Sequence, residues 1–173
     1  MDSSLGPLFL SFSAAKLRQL AGRIVDCLGR LSDEQIWARP NPNSNSVAHL
    51  VVHLCGNVRQ WIISGVGGAP DVRRRPEEFA ARGGSSGREL AERLQATVGE
   101  AVAVLEALPV ERLVERVVIQ GYDVSNLEAV LHVVEHFAQH TGQVLYVTKA
   151  ATGANLGYYS HLDQRAGRED PNP

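Results

Sequence analysis

From a cap at Ser125 to about Thr152, the chain is apolar on almost every side of a helix. Its narrow polar stripe holds only Glu128, His132, Glu135, Gln139 and Gln143. Such a helix cannot rest on a surface; other elements have to surround it. Ser125-Asn126-Leu127-Glu128 has the form of a capping box and sets its start. Three more helical segments can do the surrounding. The first runs from about Leu5 to Leu31, with Leu10, Leu17, Leu20, Ile24, Cys27 and Leu31 at mostly three- and four-residue steps. The second starts at Asn45 or Ser46, either of which can cap it, and runs to about Ser64. The third carries Leu90, Leu94, Val98, Ala101, Leu105 and Leu108 on one side and stops at Pro109. Four helices with few convincing strands predict an all-α four-helix bundle.

The connections carry their own signals. Ser32-Asp33-Glu34-Gln35 is another capping box, opening a short turn through Trp37, and Pro40-Asn41-Pro42-Asn43 then breaks the helix. Residues 65–88 are rich in Gly, Pro and Arg and too long for an ordinary bundle connection. They suit a crossover between parallel helices, or a mobile lid. Val117-Val118-Ile119 reads as a short extended segment closed by Gly121. No internal repeat is present, so residues 1–161 are expected to form one domain and 162–173 a polar tail.

A chain of 173 residues can bury a core without disulfide or metal staples. Lys and Arg number 17 against 19 Asp and Glu, a net charge of −2, which argues against a nucleic-acid partner. Two cysteines, Cys27 and Cys55, make no disulfide framework and suit a reducing cytoplasm. Cys27 lies on a helix seam and reads as core; Cys55 reads as packing. The first ten residues hold no Lys or Arg and no secretory signal, and no apolar run reaches the ~20 residues of a membrane span. The expectation is a soluble cytoplasmic protein with no membrane partner.

Five of the six histidines fall in two helices: His49 and His53 in the second, His132, His136 and His140 in the fourth. Residues four apart share a helix face, and bundle cores are a common place for metal sites. Helical phase separates the five. His53 lies about 120° from the apolar centre of its helix and Asn57 about 80°, whereas His49 is about 160° away. His132 sits in the polar stripe, His140 on the apolar side with Ala129, Val133, Val144 and Val147, and His136 between them. His53, His136 and His140 are therefore the inward candidates. A buried histidine is commonly a hydrogen-bonded core residue, so spacing alone leaves a metal site and a set of core histidines both open. Two zinc-protease patterns fail: His136-Phe137-Ala138-Gln139-His140 lacks the glutamate base, and His132-Val133-Val134-Glu135-His136 relies on a histidine in the polar stripe.

Three stretches resemble the DinB/YfiT-like superfamily of metal-dependent enzymes. They are Leu31 through Pro40 (LSDEQIWARP), Asn45 through Asn57 (NSVAHLVVHLCGN), and His136 through Val144 (HFAQHTGQV), where the family pattern is His-x-x-x-His-x-Gly-Gln-aliphatic. Ile119-Gln120-Gly121 also fits one uncharacterised branch. The resemblance covers about Leu31 to Ala150. It implies an up-down-down-up bundle whose second and third helices run parallel, which would explain the long connection. It implies metal ligation by His53, His136 and His140. Relatives include transferases and isomerases that use low-molecular-weight thiols, so a divalent ion, zinc or nickel, and a thiol cosubstrate are the implied cofactors. The expected function is a thiol-dependent transferase or hydrolase acting on a small-molecule substrate; the alternative is a non-catalytic bundle that binds a ligand or partner. A homodimer is expected from the apolar fourth helix and the frequency of two-fold dimers. Candidates for supporting roles are Asn57, Gln143, Glu135, Asp123 and Tyr122. Arg73-Arg74-Arg75 has two readings: recognition of a carboxylate or phosphate, or a solvated loop offset by Glu77 and Glu78.

Overall fold

Apolar residues at three- and four-residue steps build α1, Leu5–Arg30. Its seam of Leu10, Leu17, Leu20, Ile24 and Cys27 is buried, and Leu31 closes it. The computed structural model describes residues 4–160 and Leu162, so the expected polar tail at 162–173 lies outside the described residues apart from Leu162. The short α2, Asp33–Trp37, opens on the Ser32 box: Ser32 Oγ accepts from the Gln35 N–H and the Gln35 side chain accepts from the Ser32 N–H. Helix α3, Val47–Val58, starts at Ser46. It continues directly into a π-helical segment, Arg59–Val66, that the sequence pattern did not reveal. Inside the long connection lies a short helix, α4, Arg75–Ala80. Helix α5 is Gly87–Ala107, capped by Ser86 with Glu89. A 3-10 turn, Val110–Val114, then leads to an antiparallel hairpin of β1, Arg116–Ile119, and β2, Tyr122–Ser125. Helix α6, Asn126–Thr152, ends at Gly153 in the left-handed conformation, φ 67°.

The hairpin extends the expected segment at 117–119 by a second strand. Ile119 pairs with Tyr122 across Gln120 and Gly121, whose φ angles of 54° and 83° are those of a two-residue primed turn. Ile119 is buried, and a Cβ on Gly65 would stand 2.4 Å from its Cδ1. The hairpin is therefore seated on the π-helical segment.

Contacts between the long helices fix their directions. Arg18 pairs with Glu106, and Gly87 at the start of α5 packs on the Leu28 carbonyl near the end of α1, so these two are antiparallel. Arg59 pairs with Glu100, and Gly67 beyond it packs on Val104, so α3 and α5 run parallel. Asn126 donates to the Arg112 carbonyl beyond the end of α5, whereas Ala151 accepts from Gln35 beyond the end of α1. Helix α6 therefore follows α1. The path is up-down-down-up, and the bundle is all-α apart from the small hairpin. Helices α1 and α3 each pack against both α5 and α6. Phe137, Leu17, Ile24, Leu54, Ile62, Leu94 and Leu105 are fully buried between them.

Helix α6 is less completely enclosed than its composition suggests. Ala129, Val130, Val133, Phe137, Thr141, Val144 and Thr148 are buried, while Leu131 and Tyr146 remain exposed. Its start is well fixed, because Ser125 Oγ accepts from the Glu128 N–H and the Glu128 carboxylate accepts from the Ser125 N–H. Ser125→Ala removes this cap and is expected to cost about 1 kcal/mol. That corresponds to roughly 2–4 °C in Tm for a domain of this size, measurable by thermal circular dichroism. Among the described residues, no helix is long and apolar enough to cross a membrane.

Candidate metal centre

Helices α3 and α6 face each other with a row of rings between them. One ring nitrogen from each of His53, His136 and His140 lies within 4.8 Å of the other two. His53 Nε2 is 2.9 Å from His136 Nε2. The rings meet edge to face: His136 and His140 have centroids 4.4 Å apart at 88°, and His53 and His140 5.3 Å apart at 87°. His53 is buried and the other two are half-buried. These are the three histidines that helical phase turned inward.

Hydrogen bonds on the far sides of two rings set their tautomers. His53 Nδ1 lies 3.0 Å from Glu78 Oε2 and 3.2 Å from Arg73 Nη2; the carboxylate can only accept, and as the shorter contact it assigns the proton to Nδ1. His140 Nδ1–H donates to Gln143 Oε1 at 2.8 Å. Both rings thus keep a lone pair on Nε2. The His53–His136 contact holds one proton between two Nε2 atoms; when His136 gives it up, three lone pairs face one region. Zinc–nitrogen bonds of about 2.0–2.1 Å place tetrahedral ligand atoms ~3.3 Å apart, so side-chain shifts of about 1 Å would seat an ion. The donor set and its outer hydrogen bonds fit a divalent metal.

The electrostatics favour neutral imidazoles. Burial, followed by the proximity of His140, His53, His132 and Arg73, lowers the His136 pKa to about 4. His140 is also lowered, mainly by burial, against an upward pull from its bond to Gln143. Glu78 behaves oppositely to a lone buried acid. Burial pushes its pKa up, but hydrogen bonds from Arg73 and His53 and the charge of the Arg73 guanidinium outweigh this and lower it to about 2.

The sequence offered Arg73 only as part of an anion-recognition run or a solvated loop, and connected neither it nor Glu78 to the histidines. Arg73 Nε donates to Glu78 Oε1 at 2.7 Å and Nη2 to Oε2 at 2.9 Å. Their side chains are only 3% and 8% exposed, so this is a buried ion pair. The arginine run therefore divides. Arg74 is exposed and paired with Glu77, as a solvated loop requires, and Arg75 lies over the Phe79 ring. A signal for α4 was present: Pro76 followed by Glu77 and Glu78 marks a helix start.

Other candidates separate clearly. His132 lies outside the cluster, between Trp61 at 4.2 Å and His136 at 5.6 Å. His49 corrects the phase argument: it is buried, its Nδ1 accepts from Ser46, and its Nε2 donates to the Ala81 carbonyl at 2.8 Å. The Ala81 carbonyl, just after α4, covers a ring that lies about 160° from the apolar centre of its helix. Asn57 is buried with its Oδ1 unpartnered. Gln143 orients His140. Asp123 pairs with Arg116 on the hairpin, Glu135 is exposed, and Tyr122 stands 6.5 Å from Trp61; none bonds to the cluster. Cys27 and Cys55 are buried free thiols, and burial raises the Cys55 pKa. Beside Gln143, an open groove of about 620 Å³ runs between the 38–45 loop and α6, lined by Pro40, Asn45, Leu50, Gln139 and Tyr146.

Known proteins agree with this architecture. Crystal structures with the same fold include a conserved protein from Enterococcus faecalis, 18% identical, covering 83% of this chain and 97% of its own, TM-score 0.68. A DinB-like protein from Bacillus subtilis is 17% identical over 83% of this chain and 93% of its own, TM-score 0.64. A DinB-like protein from Bacillus cereus is 16% identical over 76% and 85%, TM-score 0.62. No curated protein matches the chain. A family model described as a protein of unknown function, DUF1572, matches residues 4–161. The chain therefore belongs to the DUF1572 family and has the DinB-like fold.

Proposed function

We propose that this protein is a metal-dependent enzyme in which His53, His136 and His140 hold one divalent ion, zinc or nickel. The observation that carries the proposal is the convergence of three ring nitrogens within 4.8 Å, two of them with their far nitrogens bonded outward. Three protein ligands leave a coordination position for a reactant, which is a catalytic rather than a structural arrangement. Held there, the ion supplies Lewis acidity: it polarises a carbonyl or leaving group, or acidifies a coordinated water or thiol. Gln143 holds the His140 ring with Nε2 inward and also lines the groove beside α6. That groove is the proposed approach for a small-molecule substrate. Asn57 offers a buried, unpartnered acceptor one helical turn from His53. The proposed reaction is thiol-dependent transfer or hydrolysis.

The test is elemental analysis of purified protein, followed by a panel of low-molecular-weight thiols against electrophilic acceptors. Stoichiometric zinc or nickel with turnover that a chelator abolishes is the expected result. A second reading rests on the 2.9 Å contact between His53 and His136, which satisfies both rings by a hydrogen bond. Absence of bound metal after zinc reconstitution would favour that reading, a non-catalytic bundle. The proposal includes a homodimer. Exposed Leu5, Leu8 and Phe12 on α1 and Leu127 and Leu131 on α6 supply an apolar face, and light scattering at micromolar concentration should give twice the chain mass.

A further inference from the structure

We propose that Glu78 is the positioning residue of this centre: clamped by Arg73 and admitted by Gly56, it fixes His53 with Nε2 turned toward His136 and His140. The inference rests on the metal reading for its purpose and on metal-free geometry for its evidence. Glu78 cannot itself join the three nitrogens as a ligand, because it bonds His53 at Nδ1, the side of the ring away from the His136 contact. It acts through the ring.

Three independent features build its seat. Both carboxylate oxygens are held by Arg73, whose remaining Nη1 donates to Gln60 Oε1 at 2.9 Å on the π-helical segment. The guanidinium is thus tied to the same helix that carries His53. Gly56 stands inside α3, where glycine lowers helix stability relative to alanine. A Cβ there would lie 2.1 Å from Glu78 Oε1 and 2.8 Å from its Cδ, so only glycine lets the carboxylate come this close. Finally, the chain is fastened directly after Glu78: Phe79 packs on the His53 ring at 5.0 Å, and the Ala81 carbonyl accepts from His49. A buried charge pair and a mid-helix glycine are costly features. They converge on one imidazole nitrogen.

A carboxylate behind a ligating histidine fixes its tautomer and strengthens the opposite nitrogen as a donor, and its loss typically weakens metal binding about 10–100-fold. The test uses full-length protein in two measurements. In the first, zinc affinity is measured by competition with a chromophoric chelator for wild type, Glu78→Gln and Phe79→Leu. Glu78→Gln keeps the shape but loses the charge; Phe79→Leu perturbs α4 packing on the same ring without touching the carboxylate. A 10–100-fold loss in Glu78→Gln, with Phe79→Leu within about threefold of wild type, is expected. Equal losses in both would reduce Glu78 to packing and overturn the inference. The second measurement is nitrogen-15 NMR of the His53 ring in metal-free protein at neutral pH. Wild type should show the Nδ1–H tautomer alone, and Glu78→Gln a mixture of tautomers. An Nε2–H ring in wild type would overturn the inference whether or not zinc binds. If zinc binds none of the three proteins, the metal reading fails, and the tautomer measurement still decides the role of Glu78.

Discussion

Alanine at His140 is expected to strip stoichiometric divalent metal from the purified protein, whereas alanine at His132 is expected to leave it in place. The two residues lie on the same helix, two turns apart, and both are half-buried. They differ in what their nitrogens face. His140 belongs to the cluster within 4.8 Å and has its Nδ1 tied to Gln143. His132 packs tilted against Trp61, stacks on His136 and lies outside that cluster. Removing one of three ligands costs more than the about 10–100-fold that loss of an outer-shell partner costs. Alanine is the best helix former, so α6 should persist in both variants and helical circular dichroism should match wild type. Equal metal content in the two variants would remove His140 from the ligand set.

How far the site could be read from the chain depended on whether a residue's environment is set by its own helix or by a distant segment. His53, His136 and His140 are governed by helical phase, and phase placed them correctly. The four helices and their seams were legible for the same reason. His49 was not: its side of α3 points away from the apolar centre, yet Ala81 arrives from the long connection to cover it. Arg73 and Glu78 fall in that connection, where neighbouring opposite charges look like an ordinary solvated loop. Their burial is created by docking α4 onto α3, with Gly56 making room, and no local pattern encodes that docking. The π-helical segment at Arg59–Val66 is silent for a related reason, since its apolar residues Trp61, Ile62, Ile63 and Val66 suit a buried helix of any pitch. The second strand, Tyr122–Ser125, mixes polar and apolar residues without alternation of burial and is defined by its pairing with β1.

Acidification is expected to release the metal before it unfolds the helices. Ligand histidines bind metal only when neutral, so protons compete for the same nitrogens. Burial and neighbouring positive charge lower His136 to about 4, and His140 is lowered as well. Metal loss should therefore begin below about pH 6 and steepen toward pH 4, with more than one proton taken up per ion. The sign of the stability change follows from the same shifts. A histidine lowered on folding binds its proton more readily in the unfolded chain, so stability falls as pH drops from ~6.5 toward 4. Glu78, lowered from 4.5 to about 2, adds stability above pH 4.5 that is lost as pH falls through 2. A domain of this size has about 5–15 kcal/mol of stability, more than one half-buried imidazole can remove. Helical signal should thus outlast bound metal between pH 6 and 4 and decline only in the lower window where Glu78 protonates. Bound metal, circular dichroism at 222 nm and turnover on one pH series provide the measurement. Metal and turnover falling together while the helices persist is the expected pattern. Helix loss coincident with metal release would make the ion structural and count against the enzyme proposal.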